Sequence, residues 1–231
     1  GREFLTMRVK KPDEDDWRKI KCILRYLNGT RYMKLTLQVE NLLIIKWLAD
    51  ASYNVHPDSK GHTSGGMALG KGVIVSQSNK QKLNVMSSTE GELVSAHKVL
   101  LTALWSRYFI EAQGYDVEQM ILYQDNQATM RLEVNGRFSS TKQTKHINAR
   151  YFFITDCIEQ GDLTVQYCPT EMMWVDILNK PKQGAPFRKD WAMLMNCPID
   201  YDDAVKRTCT HPQLLGYKSK SGEPHADHIP Q

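Results

Sequence analysis

The sequence predicts an α/β fold, a mixed β-sheet with helices on both faces. Three observations lead there. Two apolar runs, Leu42 to Ala49 and Met120 to Tyr123, have the length of buried strands, and each leads to a carboxylate, Asp50 or Asp125. Two longer segments, entered at Ser87 and His146, carry apolar side chains at helical spacing. Between the first strand and the first long helix, Met67 to Leu69, Gly70-Lys71-Gly72 and Val73 to Val75 read as a β-hairpin. The resulting order is strand, hairpin, helix, strand, helix, helix, strand, helix.

Each element has a local reason. Pro12 and the acids Asp13 to Asp16 suit the positive start of a helix that carries Trp17, Ile20, Ile23, Leu24 and Leu27 and stops at Asn28-Gly29. Leu35, Leu37 and Val39 alternate with polar residues, as in a half-buried strand. The stretch 51–66 is polar and turn-rich and reads as a loop, and 78–84 reads as a polar exit from the hairpin. Ser87-Ser88-Thr89-Glu90 opens the long helix, whose inner face is predicted as Leu93, Ala96, His97, Leu100, Leu101, Leu104, Trp105, Tyr108 and Ala112, with Gly114 as its end. A short helix follows Asp125, then a polar, basic loop from Gly136 to Lys145. The next helix turns Ile147, Tyr151, Ile154 and Ile158 inward and closes at Gln160-Gly161. Leu163, Val165 and Tyr167 alternate as a strand that Pro169 stops, and a last core helix carries Met173, Asp176, Ile177 and Asn179. Beyond residue 183 the regularity fades, although Phe187, Trp191 and Leu194 are spaced for one more helical contact. The tail after Leu215 is rich in Gly, Ser, Lys, His and Pro and is expected to be mobile.

Bulk properties narrow the classes. With 231 residues and 41% hydrophobic side chains, the chain can bury a full core. A net charge of +4 tolerates a polyanion without demanding one. Five cysteines and no C-x-x-C pair indicate neither a disulfide framework nor a thiolate zinc site, and a reducing, intracellular setting is expected. No apolar run approaches the ~20 residues of a membrane span, so no membrane partner is expected. Gly1-Arg2-Glu3-Phe4 reads as a cut inside a longer chain.

Four acids hold related positions in this order: Asp50 and Asp125 at strand ends, Glu90 in the first turn of the long helix, and Asp176 near the start of the last. If the first and fourth core strands are neighbours, Asp50 and Asp125 stand side by side at the sheet edge where ligands bind in open α/β folds. Clustered carboxylates repel one another and call for cations, and hard oxygen donors suit Mg²⁺ or Mn²⁺. Two such ions ~3.5–4 Å apart can hold the attacking and leaving oxygens of a phosphodiester displacement. Each acid also has an ordinary reading: Asp125 as a helix cap, Asp50 as a turn former, Asp176 as an exposed helix residue. Ser87-x-x-Glu90 and Thr89-x-x-Glu92 both match a capping box, so either glutamate could be a cap.

Specific motifs carry a resemblance. Trp47-Leu48-Ala49-Asp50-Ala51-Ser52, Ser87-Ser88-Thr89-Glu90-Gly91-Glu92 and Tyr123-Gln124-Asp125-Asn126-Gln127-Ala128 resemble the ribonuclease H domain of copia-type (Pseudoviridae) retrotransposon polyproteins. Thr144-Lys145-His146-Ile147 with Arg150-Tyr151-Phe152, and Cys168-Pro169-Thr170-Glu171 through Asp176 to Pro181, continue it. Arg25-Tyr26-Leu27-Asn28-Gly29-Thr30 resembles the segment that joins reverse transcriptase to ribonuclease H. The resemblance implies an RNase H-like fold with a five-stranded mixed sheet of order 3-2-1-4-5. It implies a connection segment over residues 1–40, an RNase H domain over 41–182 and a partly flexible C-terminal extension over 183–231. It implies hydrolysis of the RNA strand of RNA–DNA hybrids during reverse transcription, with two Mg²⁺ or Mn²⁺ ions held by Asp50, Glu90, Asp125 and Asp176. Glu90 is preferred over Glu92 because its Thr-Glu pair at the helix start matches the family's position. The implied partners are the hybrid and the reverse transcriptase domain of the same polyprotein, and the implied location is the cytoplasm, in a virus-like particle, or the nucleus.

For substrate, Lys142, Lys145, His146 and Arg150 crowd one loop and helix start, and Lys180 and Lys182 follow the last acid, a pattern suited to phosphate contacts. Ser52, Ser88, Asn126 and Gln127 are short polar side chains near the acids, suited to reading RNA 2′-hydroxyls. Many relatives place a histidine in the loop before the last acid, and here that loop, Pro169 to Trp174, has none. His146 is the nearest candidate by motif, although a structural hydrogen bond at a helix start suits it as well. Two other readings stay open: a related nuclease acting on DNA, and a domesticated, inactive module that binds nucleic acid or protein.

Overall fold

The computed structural model describes residues 5–6, 8–31, 33–136 and 145–197, with side chains in the segment after 145 only from residue 152 onward. Helix α1 spans Glu14–Gly29 and is opened by a reciprocal cap: the Asp13 carboxylate accepts from the Asp16 N–H, and the Asp16 carboxylate accepts from the Asp13 N–H. Buried Asp16 is also held by Arg8 Nε at 2.7 Å. A two-residue strand β1, Gln38–Val39, follows.

The central sheet begins with β2, Ile44–Ser52, and β3, His62–Ala68. After the short β4, Gly70–Lys71, which pairs with β1, comes β5, Val75–Lys80. Helix α2 runs from Ser88 to Ala112, β6 from Gln119 to Gln124, α3 from Gln127 to Asn135 and α4 from Lys145 to Glu159. Strand β7, Thr164–Tyr167, leads into two 3-10 helices, Thr170–Met172 and Trp174–Leu178, and α5, Gly184–Met195, is the last described element. Sheet order is β5-β3-β2-β6-β7, antiparallel on the β3 side and parallel on the β6 and β7 side. Counted over the five central strands, that is the expected 3-2-1-4-5.

Alternation along β2 sorts its side chains between two cores. Ile45, Trp47 and Ala49 join Leu93, Ala96, Leu100, Met120, Leu122 and Ile154 beneath α2 and α4. Leu48 faces the other way and packs with Cys168, Met173 and Val175 around the second 3-10 helix. The sheet is thus covered on both faces. Gly66 makes the second contact possible: a Cβ there would lie 2.4 Å from the Trp174 ring.

Several expectations need correction. The predicted loop 51–66 contains most of β3 and the polar exit 78–84 half of β5, so the hairpin is longer than its apolar residues suggest. Asp50 lies within β2, opposite Ser64, and not at the strand's end. The last core helix is a 3-10 turn. Only Gln38–Val39 of the 35–39 segment is a strand, and both residues are exposed. On α2 the buried face includes Val94 and Val99, while Leu101, Trp105 and Tyr108 are exposed, with Trp105 stacked on Phe109. The helical contact expected of Phe187, Trp191 and Leu194, by contrast, is present in α5, where Trp191 is buried and donates to the Tyr26 hydroxyl at 2.7 Å. Residues 198–231 lie outside the described residues. No described helix is long and apolar enough to cross a membrane.

Candidate metal centre

Three elements bring carboxylates together. β2 carries Asp50, the first turns of α2 carry Glu92, and the turn after β6 carries Asp125. Parallel pairing of β2 with β6, Leu48 opposite Tyr123, sets the two aspartates at one end of adjacent strands. One oxygen from each of Asp50, Glu92 and Asp125 lies within 4.8 Å of the others, and this is the only such group among the described residues. Asp125 is partly open and accepts from the Thr170 hydroxyl at 3.0 Å, while Asp50 and Glu92 are buried.

Glu92, and not the preferred Glu90, joins the cluster. Ser87 caps α2 through its hydroxyl, which accepts from the Glu90 N–H, and Glu90 reaches back to accept from the Met86 N–H at 2.7 Å. Glu90 is thereby spent on the helix start. Two residues further along a helix turns by roughly 200°, which points Glu92 to the opposite side.

Asp176 stands beside Asp50, with a hydrogen bond between the two carboxyls. It lies outside the three-oxygen group, and lysines hold both its oxygens: Lys180 on Oδ1 at 2.7 Å and Lys182 on Oδ2 at 3.0 Å. Lys180 also reaches Asp50 Oδ2 at 3.1 Å, and Asn179 Nδ2 donates to that same oxygen at 2.7 Å. Lys182 continues to Asp190 on α5.

The charges act on one another. Burial, and then the hydrogen bond to Asp176, push the Asp50 carboxyl up to about 7. Burial and the neighbouring Asp50 and Asp125 raise Glu92 well above the usual carboxylate range. Burial also acts to raise Asp176, but its hydrogen bonds to Asp50 and the two lysines prevail and hold it low. Burial opposes the Lys180 charge, yet Asp50 and Asp176 outweigh it and keep the ammonium above its normal range. A divalent cation fits this donor set: the ligands are hard oxygens from three elements, two resist ionisation without a cation, and Asn179 Oδ1 is buried nearby without a partner.

The other predicted positions divide. Lys180 is drawn into the acids and does not extend toward substrate as expected. Ser52 is buried, its hydroxyl 3.5 Å from the Asn179 carbonyl, a correction to its proposed contact with RNA. Ser88 and Gln127 are exposed near the cluster, and Asn126 spends its carbonyl oxygen capping α3 through the Ala128 and Thr129 N–H groups. Lys145, His146 and Arg150 lie on α4 with side chains outside the described residues, and Lys142 is outside them altogether.

An open sheet of this order, with acids from its central strand, the strand beside it and the first long helix meeting at one edge, defines the RNase H-like class. By sequence the chain is similar to stretches of retrovirus-related Pol polyproteins from plant transposons. It is 31% identical over 186 residues to that of transposon RE2 from Arabidopsis thaliana, covering 80% of this chain and 13% of the relative. It is 28% identical over 173 residues to that of transposon TNT 1-94 from Nicotiana tabacum, covering 74% of this chain and 13% of the relative. The chain therefore spans about an eighth of the length of these relatives. No family model matches. Among solved structures, RNase H1 of Halobacterium salinarum is similar at 12% identity and TM-score 0.42, covering 58% of this chain and 93% of that one. The RNase H domain of prototype foamy virus is similar at 13% identity and TM-score 0.37, covering 72% and 93%.

Proposed function

We propose that this chain is the ribonuclease H of a copia-type retrotransposon and that it hydrolyses the RNA strand of RNA–DNA hybrids. One observation carries the reading: Asp50, Glu92 and Asp125 converge to within 4.8 Å at the strand edge, with Asp176 hydrogen-bonded to Asp50. Divalent ions bound there supply a water of lowered pKa and positive charge for the departing 3′ oxygen. Asp50, Glu92 and Asp125 hold the first ion in this reading, and Asp50 with Asp176 the second. Asp125 is oriented by the Thr170 hydroxyl. Exposed Ser88 and Gln127 remain candidates for 2′-hydroxyl contacts, and Lys142, Lys145, His146 and Arg150 for backbone phosphates. The reverse transcriptase of the same polyprotein is the expected partner in delivering hybrid.

The test offers a labelled RNA–DNA hybrid and a DNA duplex to the wild type and to Asp125→Asn, each with Mg²⁺. Cleavage of the RNA strand that Asp125→Asn abolishes supports the assignment. Cleavage of the DNA duplex alone makes the protein a DNA nuclease of this superfamily, and cleavage of neither makes it a binding module.

A further inference from the structure

We propose that Lys180 is a tethered counter-cation of the acidic pocket, whose ammonium must leave the Asp50–Asp176 pair before a divalent ion can bridge those two carboxylates. The inference rests on the metal-binding reading above. Its starting point is geometric. The Lys180 ammonium touches carboxylates from two different elements, Asp50 on β2 at 3.1 Å and Asp176 on the 3-10 turn at 2.7 Å, which is the bridging position a second ion would take.

The position is built into the backbone. Lys180 N–H donates to the Asp176 carbonyl at 2.7 Å, so both side chains rise from one turn and the lysine cannot drift far from the acid. Asn179, one residue earlier, holds Asp50 from the same turn. Lys182 takes the other Asp176 oxygen and ties it to Asp190, leaving Asp176 no free oxygen while both lysines are seated.

The two prospective ion positions therefore differ. The group formed by Asp50, Glu92 and Asp125 does not draw on Asp176, whose Oδ1 Lys180 holds. The Asp50–Asp176 position is already filled by a single positive charge, which a divalent ion must displace. Lys180 also lines an open groove of about 1030 Å³ with Ser78, Asn79 and Asn179, so a displaced ammonium has a polar, solvated place to go. Its Asp50 contact thus lowers the repulsion among the acids when ions are scarce and makes the second ion the weaker one.

The test counts Mn²⁺ bound without substrate, from the free-ion electron paramagnetic resonance signal at pH 7.5. Wild type, Lys180→Gln and Lys182→Gln are compared. Each variant removes one positive charge beside Asp176, but only the first vacates the bridging position. The expected result is one tighter and one weaker ion in wild type, with the weaker dissociation constant falling at least tenfold in Lys180→Gln and less than threefold in Lys182→Gln. Equal tightening in both would reduce the effect to general charge, and no tightening in Lys180→Gln would refute displacement. If Lys180→Gln does not fold, Lys180→Met keeps the apolar stem and serves in its place. In wild type, nitrogen NMR of the lysine ammonium groups gives a variant-free readout: a protected Lys180 signal that Mg²⁺ removes is expected, and one that Mg²⁺ leaves unchanged would overturn the proposal. Wild type that binds two ions and cleaves hybrid while Lys180→Gln binds no more tightly defeats this inference alone. Failure of every variant to bind Mn²⁺ defeats the nuclease reading with it.

Discussion

Glu133 offers a quantitative check on the interior next to the acids. It is fully buried on α3, where Oε1 accepts from Gln124 Nε2 at 3.0 Å, and Gln124 immediately precedes Asp125. Glu133 Oε2 and Gln124 Oε1 both lack partners. A protonated Glu133 carries no charge to bury, and its Oε2 becomes a donor where an ionised carboxylate can only accept. Burial raises this carboxyl from 4.5 to about 8, against the opposing pull of the Gln124 hydrogen bond. A folded-state pKa above the unfolded one stabilises fully below about 4.5, and the benefit is lost as pH rises toward 8. At pH 7, holding the proton costs about 3 kcal/mol relative to an uncharged isostere, at ~1.36 kcal/mol per pH unit. Glu133→Gln removes the cost, and for a domain of this size it should raise Tm by about 6–12 °C at pH 7. Circular-dichroism melts in EDTA at pH 4.5, 6, 7 and 8 measure it. The gain should be near zero at pH 4.5 and grow steadily to pH 8. A difference between the two proteins that does not vary with pH, or a less stable variant at pH 8, would refute a protonated Glu133.

The remaining predictions concern the site and its support. Glu92→Gln should abolish Mn²⁺ binding at the three-carboxylate group, whereas Glu90→Gln should cost at most about 1 kcal/mol of stability through the cap and keep Mn²⁺ binding; the opposite pattern in titrations would return the role to Glu90. Ion binding must displace protons from Asp50, held near 7, and from raised Glu92, so Mg²⁺ affinity should climb between pH 5.5 and 7.5 and calorimetry in buffers of different ionisation heat should detect proton release. Gly66→Ala would drive a methyl into the Trp174 ring and the turn that presents Asp176; a loss of about 1–3 kcal/mol in urea unfolding is expected, together with weaker binding of the second ion.

The aspartates were legible in the sequence because the apolar runs of β2 and β6 lead straight to Asp50 and Asp125, whereas the strand order came from the family resemblance and not from the residues. The hairpin was read at its turn, Met67 to Val75, but not along its length, because β3 begins His62-Thr63-Ser64-Gly65-Gly66 and shows no aliphatic signal before Met67. Those residues are buried by pairing on both sides and by close packing, with Val99 against Gly65 and Trp174 against Gly66. Small side chains are what that proximity requires, and small polar residues read as loop. On α2, a single stripe of apolar residues was drawn to include Leu101, Trp105 and Tyr108, but these are exposed while their neighbours Leu100, Ala103 and Ser106 are buried, so they belong to the helix's outer face. Phe187, Trp191 and Leu194 did mark α5 by spacing, while its partner Tyr26, 165 residues from Trp191, could come only from the fold.

The acids themselves show the limit of pattern reading. Two glutamates two residues apart both satisfied a cap motif, and a resemblance at the helix start favoured the first. Helix geometry reverses that choice, since the residue that satisfies the cap at Ser87 is turned away from the sheet and only Glu92 can face Asp50. Lys180 sits elsewhere than expected for a related reason. A run of positive charge after the last acid gives the sign of what it attracts but not its address, and phosphate is the usual inference. Yet Asp176 and Lys180 are four residues apart on a tight turn, a spacing at which opposite charges meet. Asp50, though 130 residues away from Lys180, completes the contact. The nearest anion to Lys180 is thus inside the protein, and whatever it does for substrate begins with its release from there.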